Sequence, residues 1–374
     1  MPLRRLLATI LVLVLFAGCG PKGEEEPIWI GCVAALSDQS AGAAVKQGAA
    51  LAVDAAAGQR VEGRRLSVIV ADDHASDDAT QAEAVRLLAV NHVAGLIGGL
   101  DPGRALRLAR AAQPYNAPVI LPGDVAGPPP GDAVFSLGVR PGWRGAVLAR
   151  YASGVLKAKH AFVLTDQRNS IAVELSAGFV QAWPSSDGST LDQAAFQSDA
   201  DLPASAGRAA SAKPDVVLIA AGVSTFGQAA GSLRADASHP ALLYGGEDVG
   251  VGPLAAGRGD CAIATVVAIG ELTDRGKEFA KKYQERFHEA PDLPACQGYD
   301  AARFLFDAMA RAKGTAADHV RDQLKTASDG ESLTGPLHFK DGQAVRRVFV
   351  VALQDGQGKV VQAVDAEPDS PPTK

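Results

Sequence analysis

Cysteine, aromatic side chains and contiguous positive charge are all in short supply in this 374-residue chain. The four cysteines form no C-x-x-C pair and no Cys/His spacing, so no structural zinc site or other metal is expected. No basic run exceeds two residues and the formal charge is -6, which leaves nothing dense enough to neutralise a phosphate backbone. Nucleic acid is therefore not an expected partner. Also missing are a G-x-x-x-x-G-K-[ST] phosphate loop, a G-x-S-x-G elbow and an H-E-x-x-H helix. The seven histidines fall at segment ends or on polar helix faces without triad spacing, so the chain reads as a non-enzyme without a cofactor. What it does have is 47% apolar residues, 40 glycines and 22 prolines in an Ala-rich body with 5% aromatics. That composition fits two domains of many short elements joined by tight turns.

The first residues form an export address. Arg4 and Arg5 precede an apolar run, Leu6 to Ala17, shorter than the roughly 20 residues of a bilayer span. Ala17-Gly18-Cys19 follows, with Phe16 where a lipobox usually has Leu. The stretch resembles a bacterial lipoprotein signal, which implies cleavage before Cys19 and acylation of its thiol. The expectation is a signal over 1–18 and a tether over 19–27, with Glu24, Glu25 and Glu26 together. The body is then extracytoplasmic and tied to a membrane through Cys19. Loss of Arg4 and Arg5 takes the charge from -6 to -8. Of the other cysteines, Cys32 reads as a buried small hydrophobe. Cys261 and Cys296 are open to a disulfide in an oxidising compartment.

From Ile28 onward two kinds of segment alternate. Short apolar runs at 28–36, 66–70, 93–97, 118–121, 161–164, 216–220, 241–244 and 262–269 read as strands. Helical spacing fills 48–56, 80–90, 104–112, 142–156, 172–182, 205–211, 226–234, 276–287 and 299–312. Strand–helix alternation specifies right-handed βαβ units and parallel sheets covered on both faces. A Gly/Pro break at Gly138 to Gly142 divides the strands four and four, so the fold class expected is α/β, as two doubly wound lobes. In such sheets ligands bind beyond the strand carboxyl ends, which places a cleft between the lobes.

Five motifs in order carry a family resemblance. They are Gly48-Ala49-Ala50-Leu51-Ala52-Val53-Asp54, Gly63-Arg64-Arg65-Leu66 with Asp72-Asp73, and Lys213-Pro214-Asp215-Val216-Val217. Gly298-Tyr299-Asp300-Ala301-Ala302 and Thr334-Gly335-Pro336-Leu337-His338-Phe339-Lys340-Asp341-Gly342 complete the set. From Ile28 to Val364 the chain resembles the extracytoplasmic solute-binding proteins of branched-chain amino acid ABC transporters, the type I periplasmic binding proteins. The resemblance implies lobe 1 over 28–140 and 268–338, and lobe 2 over 141–267 and 339–365. Residues 366–374 are expected to be a disordered tail. Crossings are expected near 137–142, 266–270 and 339–348, with hinge closure over a ligand.

In amino-acid-binding members, Ser and Thr hydroxyls and backbone N–H groups hold the ligand carboxylate, and an acid of the second lobe holds the ammonium. The corresponding loops here contain Leu100, Asp101, Gly123 and Asp124, with Val125 where Thr is usual. Arg104, just beyond, could offer a bidentate carboxylate contact, although an Arg in a first helical turn is more often solvent-facing. In the second lobe the matching positions are Asn169, Ser170 and Val223, and Glu247, where the family holds the amine, is either that acid or a helix cap or surface charge. Ser37, after the first strand, is either a site residue or a helix cap. An acidic, hydroxyl-poor lining predicts an amine- or polyol-bearing solute. Asp72-Asp73-His74 with Asp77-Asp78 reads as an acidic strand end and helix start instead of a metal cluster. The function expected is capture of a small polar solute for an ABC permease, by a monomer. The alternative is a cell-envelope interaction lipoprotein on the same fold with a vestigial cleft.

Overall fold

The computed structural model describes residues 26–37, 41–185, 188–234, 240–245, 261–326, 331–354 and 357–365. Cys19, the signal, most of the tether, Glu247 and the tail lie outside them. The first lobe begins with β1 (Ile28–Ala34), α1 (Ala41–Ala55), β2 (Leu66–Asp72), α2 (Asp77–Ala89), β3 (Leu96–Gly98), α3 (Pro102–Ala112), β4 (Val119–Leu121) and β5 (Val134–Ser136). The chain then enters the second lobe. There it forms α4 (Pro141–Gly154), β6 (His160–Asp166), α5 (Ser170–Ala182), β7 (Thr190–Phe196), α6 (Leu202–Ala212), β8 (Val216–Ala220), α7 (Val223–Leu233), β9 (Ala241–Tyr244) and β10 (Cys261–Thr265). It returns with α8 (Asp274–Phe287), α9 (Leu293–Ala312), α10 (Ala317–Thr326), β11 (Glu331–Ser332), β12 (Gly335–Lys340) and β13 (Gln343–Arg346). The hairpin β14 (Val348–Gln354) and β15 (Gln357–Val364) closes the second sheet.

Both sheets are wound alike. The first runs β11-β12-β13-β5-β4-β3-β1-β2 and the second β15-β14-β10-β9-β8-β6-β7. In each, the first strand sits between the second and third with all three parallel, so the winding reverses there and opens a crevice at the strand ends. The central strands are continuous apolar runs because helices cover both faces; all of Val216–Ala220 is buried. Beneath the crossings Phe135, Phe304 and Phe339 form an aromatic cluster, with Phe339 5.0 Å from Phe135 and 5.6 Å from Phe304.

Three differences from the sequence reading have physical causes. Strands β12 and β13 pair into the first sheet, β13 against Ser136 of β5, so the chain crosses at Arg347 and residues 339–346 are not in the second lobe. Strand β7 was not anticipated: it is an edge strand in which only Ala194 and Phe196 are buried, and Asp192 and Gln193 interrupt its apolar residues. Cys32, Cys261 and Cys296 are buried thiols, and Cys261 ends up on the second sheet while Cys296 sits in α9 on the first lobe. The Cys261–Cys296 disulfide therefore does not form. Among the described residues, no helix is long and apolar enough to cross a membrane.

Candidate ligand-binding cleft

Between the lobes lies a cleft of about 660 Å³. Its first-lobe wall is built from the carboxyl ends of β1 to β4: Ser37, Ala75, Leu100, Asp101, Arg104, Gly123 and Asp124 all line it. The opposite wall is Arg168, Asn169, Ser170 and Ile171, after β6. Gly98 and Gly99 bring the β3 loop into place with φ of +146° and +71°, and a side chain at Gly98 would strike the Val33 carbonyl. Four helices, α1, α3, α5 and α9, begin at this cleft with Ala41, Pro102, Ser170 and Pro294 among its lining residues. Their N-terminal ends carry partial positive charge.

Of the residues singled out from sequence, Ser37, Leu100, Asp101, Gly123, Asp124, Asn169 and Ser170 come together here. Val223 does not: it opens α7 and packs against the second lobe's own core. Several of the seven are committed to the protein. Asp101 caps α3, accepting the Gly103 N–H at 2.9 Å, and Asn169 caps α5, accepting the Ala172 N–H at 3.1 Å. Asp124 makes a buried ion pair with Arg144, from α4 on the other lobe. Asp72 and Asp73 are likewise used locally. Asp72 takes the N–H groups of Leu36 and His74, and its carboxyl is held below its ordinary value chiefly by the His74 N–H. Asp73 takes the Ala75 N–H and the Thr80 hydroxyl.

The charge of the lining therefore differs from the acidic one expected. Among the described residues Asp101 and Asp124 are matched by Arg104 and Arg168, and Arg144 lies behind Asp124. Arg168 is held by two acids, forking onto Asp166 at 2.9 and 2.8 Å and reaching Asp199 at 2.8 Å. Burial pushes the Asp166 carboxyl up, but the Arg168 contacts more than offset this and leave it below its ordinary value. Arg104 is different. Its side chain is 18% exposed, its one ion pair is with Asp73 at 3.6 Å, and its guanidinium makes no hydrogen bond within the protein among the described residues. The sequence offers Arg104 as a carboxylate contact but favours a solvent-facing role, and it does not point to Arg168 or to Gln297, the latter 1% exposed on α9. The available signal was position: each stands within a turn of a helix start that follows a strand or loop end.

Two doubly wound lobes, three crossings and a cleft at the strand carboxyl ends define a two-lobed solute-binding architecture. The chain belongs to the periplasmic binding protein family, whose model matches residues 27–358. It is similar in fold to the leucine-binding protein LivK of Thermotoga maritima, at 20% identity and a TM-score of 0.79, over 91% of this chain and 99% of that one. The branched-chain amino acid binding protein LivJ of Streptococcus pneumoniae, in complex with isoleucine, superposes at 20% identity and 0.77, over 92% and 100%. A solute-binding protein of Rhodopseudomonas palustris BisB5, in complex with 3,4-dihydroxybenzoic acid, does so at 20% and 0.76, over 92% and 99%. No individually curated protein sequence matches significantly.

Proposed function

We propose that the chain is an extracytoplasmic solute receptor that closes its lobes over a small carboxylate-bearing solute and delivers it to an ABC permease. The observation that carries this reading is Arg104, a cleft-lining guanidinium whose donors make no hydrogen bond among the described residues. A half-buried guanidinium held only by the longer ion pair with Asp73 keeps its donors open to an anion brought by the ligand, and a guanidinium takes a carboxylate with two parallel bonds. The four helix N-termini add to the same field. Isoleucine and 3,4-dihydroxybenzoic acid, held by the two structural neighbours, each carry one carboxyl group. Ser37, Leu100, Gly123, Asn169 and Ser170 supply the surrounding contacts, and Glu247 is the acid for an amine where the ligand has one. The receptor acts as a lipid-anchored monomer through Cys19.

A thermal-shift series on the full chain tests this with isoleucine, benzoate and 3,4-dihydroxybenzoate against putrescine and glycerol. A carboxylate at about 100 times its Kd adds roughly 2.7 kcal/mol and raises the melting temperature. Shifts from putrescine or glycerol alone would contradict the reading.

A further inference from the structure

We propose that Arg346 pins the hinge, one buried guanidinium joining all three crossings and so setting how far, and how uniformly, the lobes open. The inference rests on the receptor reading for its purpose, since it concerns the motion that closes the cleft.

Arg346 ends β13, one residue before the third crossing, and is 3% exposed. Its Nη1 donates to the Leu137 carbonyl, in the first crossing, at 3.3 Å. Its Nη2 donates to the hydroxyls of Ser332 at 3.2 Å and Thr334 at 2.8 Å. The Thr334 hydroxyl in turn donates to the Val266 carbonyl, in the second crossing, at 3.3 Å. Gln343, on the same strand, reinforces the first link with a bond from its side-chain amide to the Gly138 carbonyl. Asp300, buried beside this network on α9, takes the Leu333 N–H at 3.1 Å and lies in the field of Arg346.

A hinge absorbs its motion as backbone rotation at a few positions. Here rotation of one crossing against the others must stretch bonds from a charged donor in a buried site, where a lost partner is not replaced by water. The crossings are thereby coupled, and the lobes move about one axis instead of three.

The test reads inter-lobe distance in the full chain without any ligand, using spin labels on ketone side chains introduced at Arg110 and Arg208. Both positions are exposed, on α3 of the first lobe and α6 of the second. Arg346→Met is expected to broaden the distance distribution about twofold and move its mean outward, because the uncoupled hinge samples more open states. Arg346→Lys, a point donor without the fork, falls between. A residue that merely supports the fold would lower the melting temperature and leave the width alone. Should Arg346→Met not melt cooperatively, Thr334→Val cuts the branch to Val266 alone and is read the same way. A distribution unchanged in a cooperatively folded variant overturns the proposal. Failure of the receptor reading shows separately, as absence of cleft binding with the distance effect intact.

Discussion

Asp124 and Arg144 form an ion pair that joins the two lobes beneath the cleft, with the Arg144 side chain fully buried and that of Asp124 4% exposed. The pairing commits an acid that, by its place in the chain, reads as a ligand contact. It also makes the pair costly to break from one side. Arg144→Met strands a buried carboxylate and is expected to cost about 3–5 kcal/mol, whereas combining it with Asp124→Leu should cost clearly less than the sum of the two single changes. Denaturant unfolding of the full chain measures this. Additive single-variant losses would contradict the pairing.

Asp300 gives a pH signature. Burial raises its carboxyl to about 6, against the lowering influence of Arg346 and the Leu333 N–H. The folded value lies above the unfolded one of about 4, so this group favours folding most below pH 4, and that contribution is lost as pH rises through 6. From pH 4 to pH 7 the stability of the parent relative to Asp300→Asn is expected to fall by roughly 2 kcal/mol. A difference that stays flat with pH would show that Asp300 is not desolvated.

Helix α1 is seated on α9 by glycines. A side chain at Gly48 would strike the Ala295 carbonyl, and one at Gly298 would strike the Val45 carbonyl. Since the obstacle is backbone, the helices must separate, and Gly48→Val is expected to cost about 1–3 kcal/mol or more. Because α1 begins at the cleft wall, the same change should weaken ligand binding. Thermal melting with binding on one sample checks both, and unchanged values would refute the close contact.

The thiols should be inert. Burial pushes Cys32 up to about 12 and Cys296 well above its ordinary value. In a native thiol titration neither should react, and both should react once the chain is unfolded. Fast native labelling of either would contradict the packing.

The lobes and their winding were legible because buried parallel strands are continuous apolar runs and the helices carry a clear apolar period. Strand β7 was not, since an edge strand tolerates polar residues such as Asp192 and Gln193 in its middle, which break the apolar run. The cleft's position followed from the strand order, but its charge did not. Asp124 and Arg144 lie twenty residues apart and meet only through the crossing of lobes. Arg104 looks like an ordinary solvated first-turn arginine until the helix start is seen to face the other lobe. Cap roles for Asp101 and Asn169 were likewise written in the local sequence, one residue before each helix, and were passed over in favour of ligand contacts.

The most direct test of the account is calorimetric titration of the full chain and of Arg104→Met with the carboxylates that shift its melting temperature. Removing a bidentate charged contact of roughly 2–3 kcal/mol should weaken binding by about 30- to 150-fold while the melting temperature without ligand stays near that of the parent. Carboxylate affinity unchanged in a folded Arg104→Met chain would contradict the claim that this cleft is built around an anion.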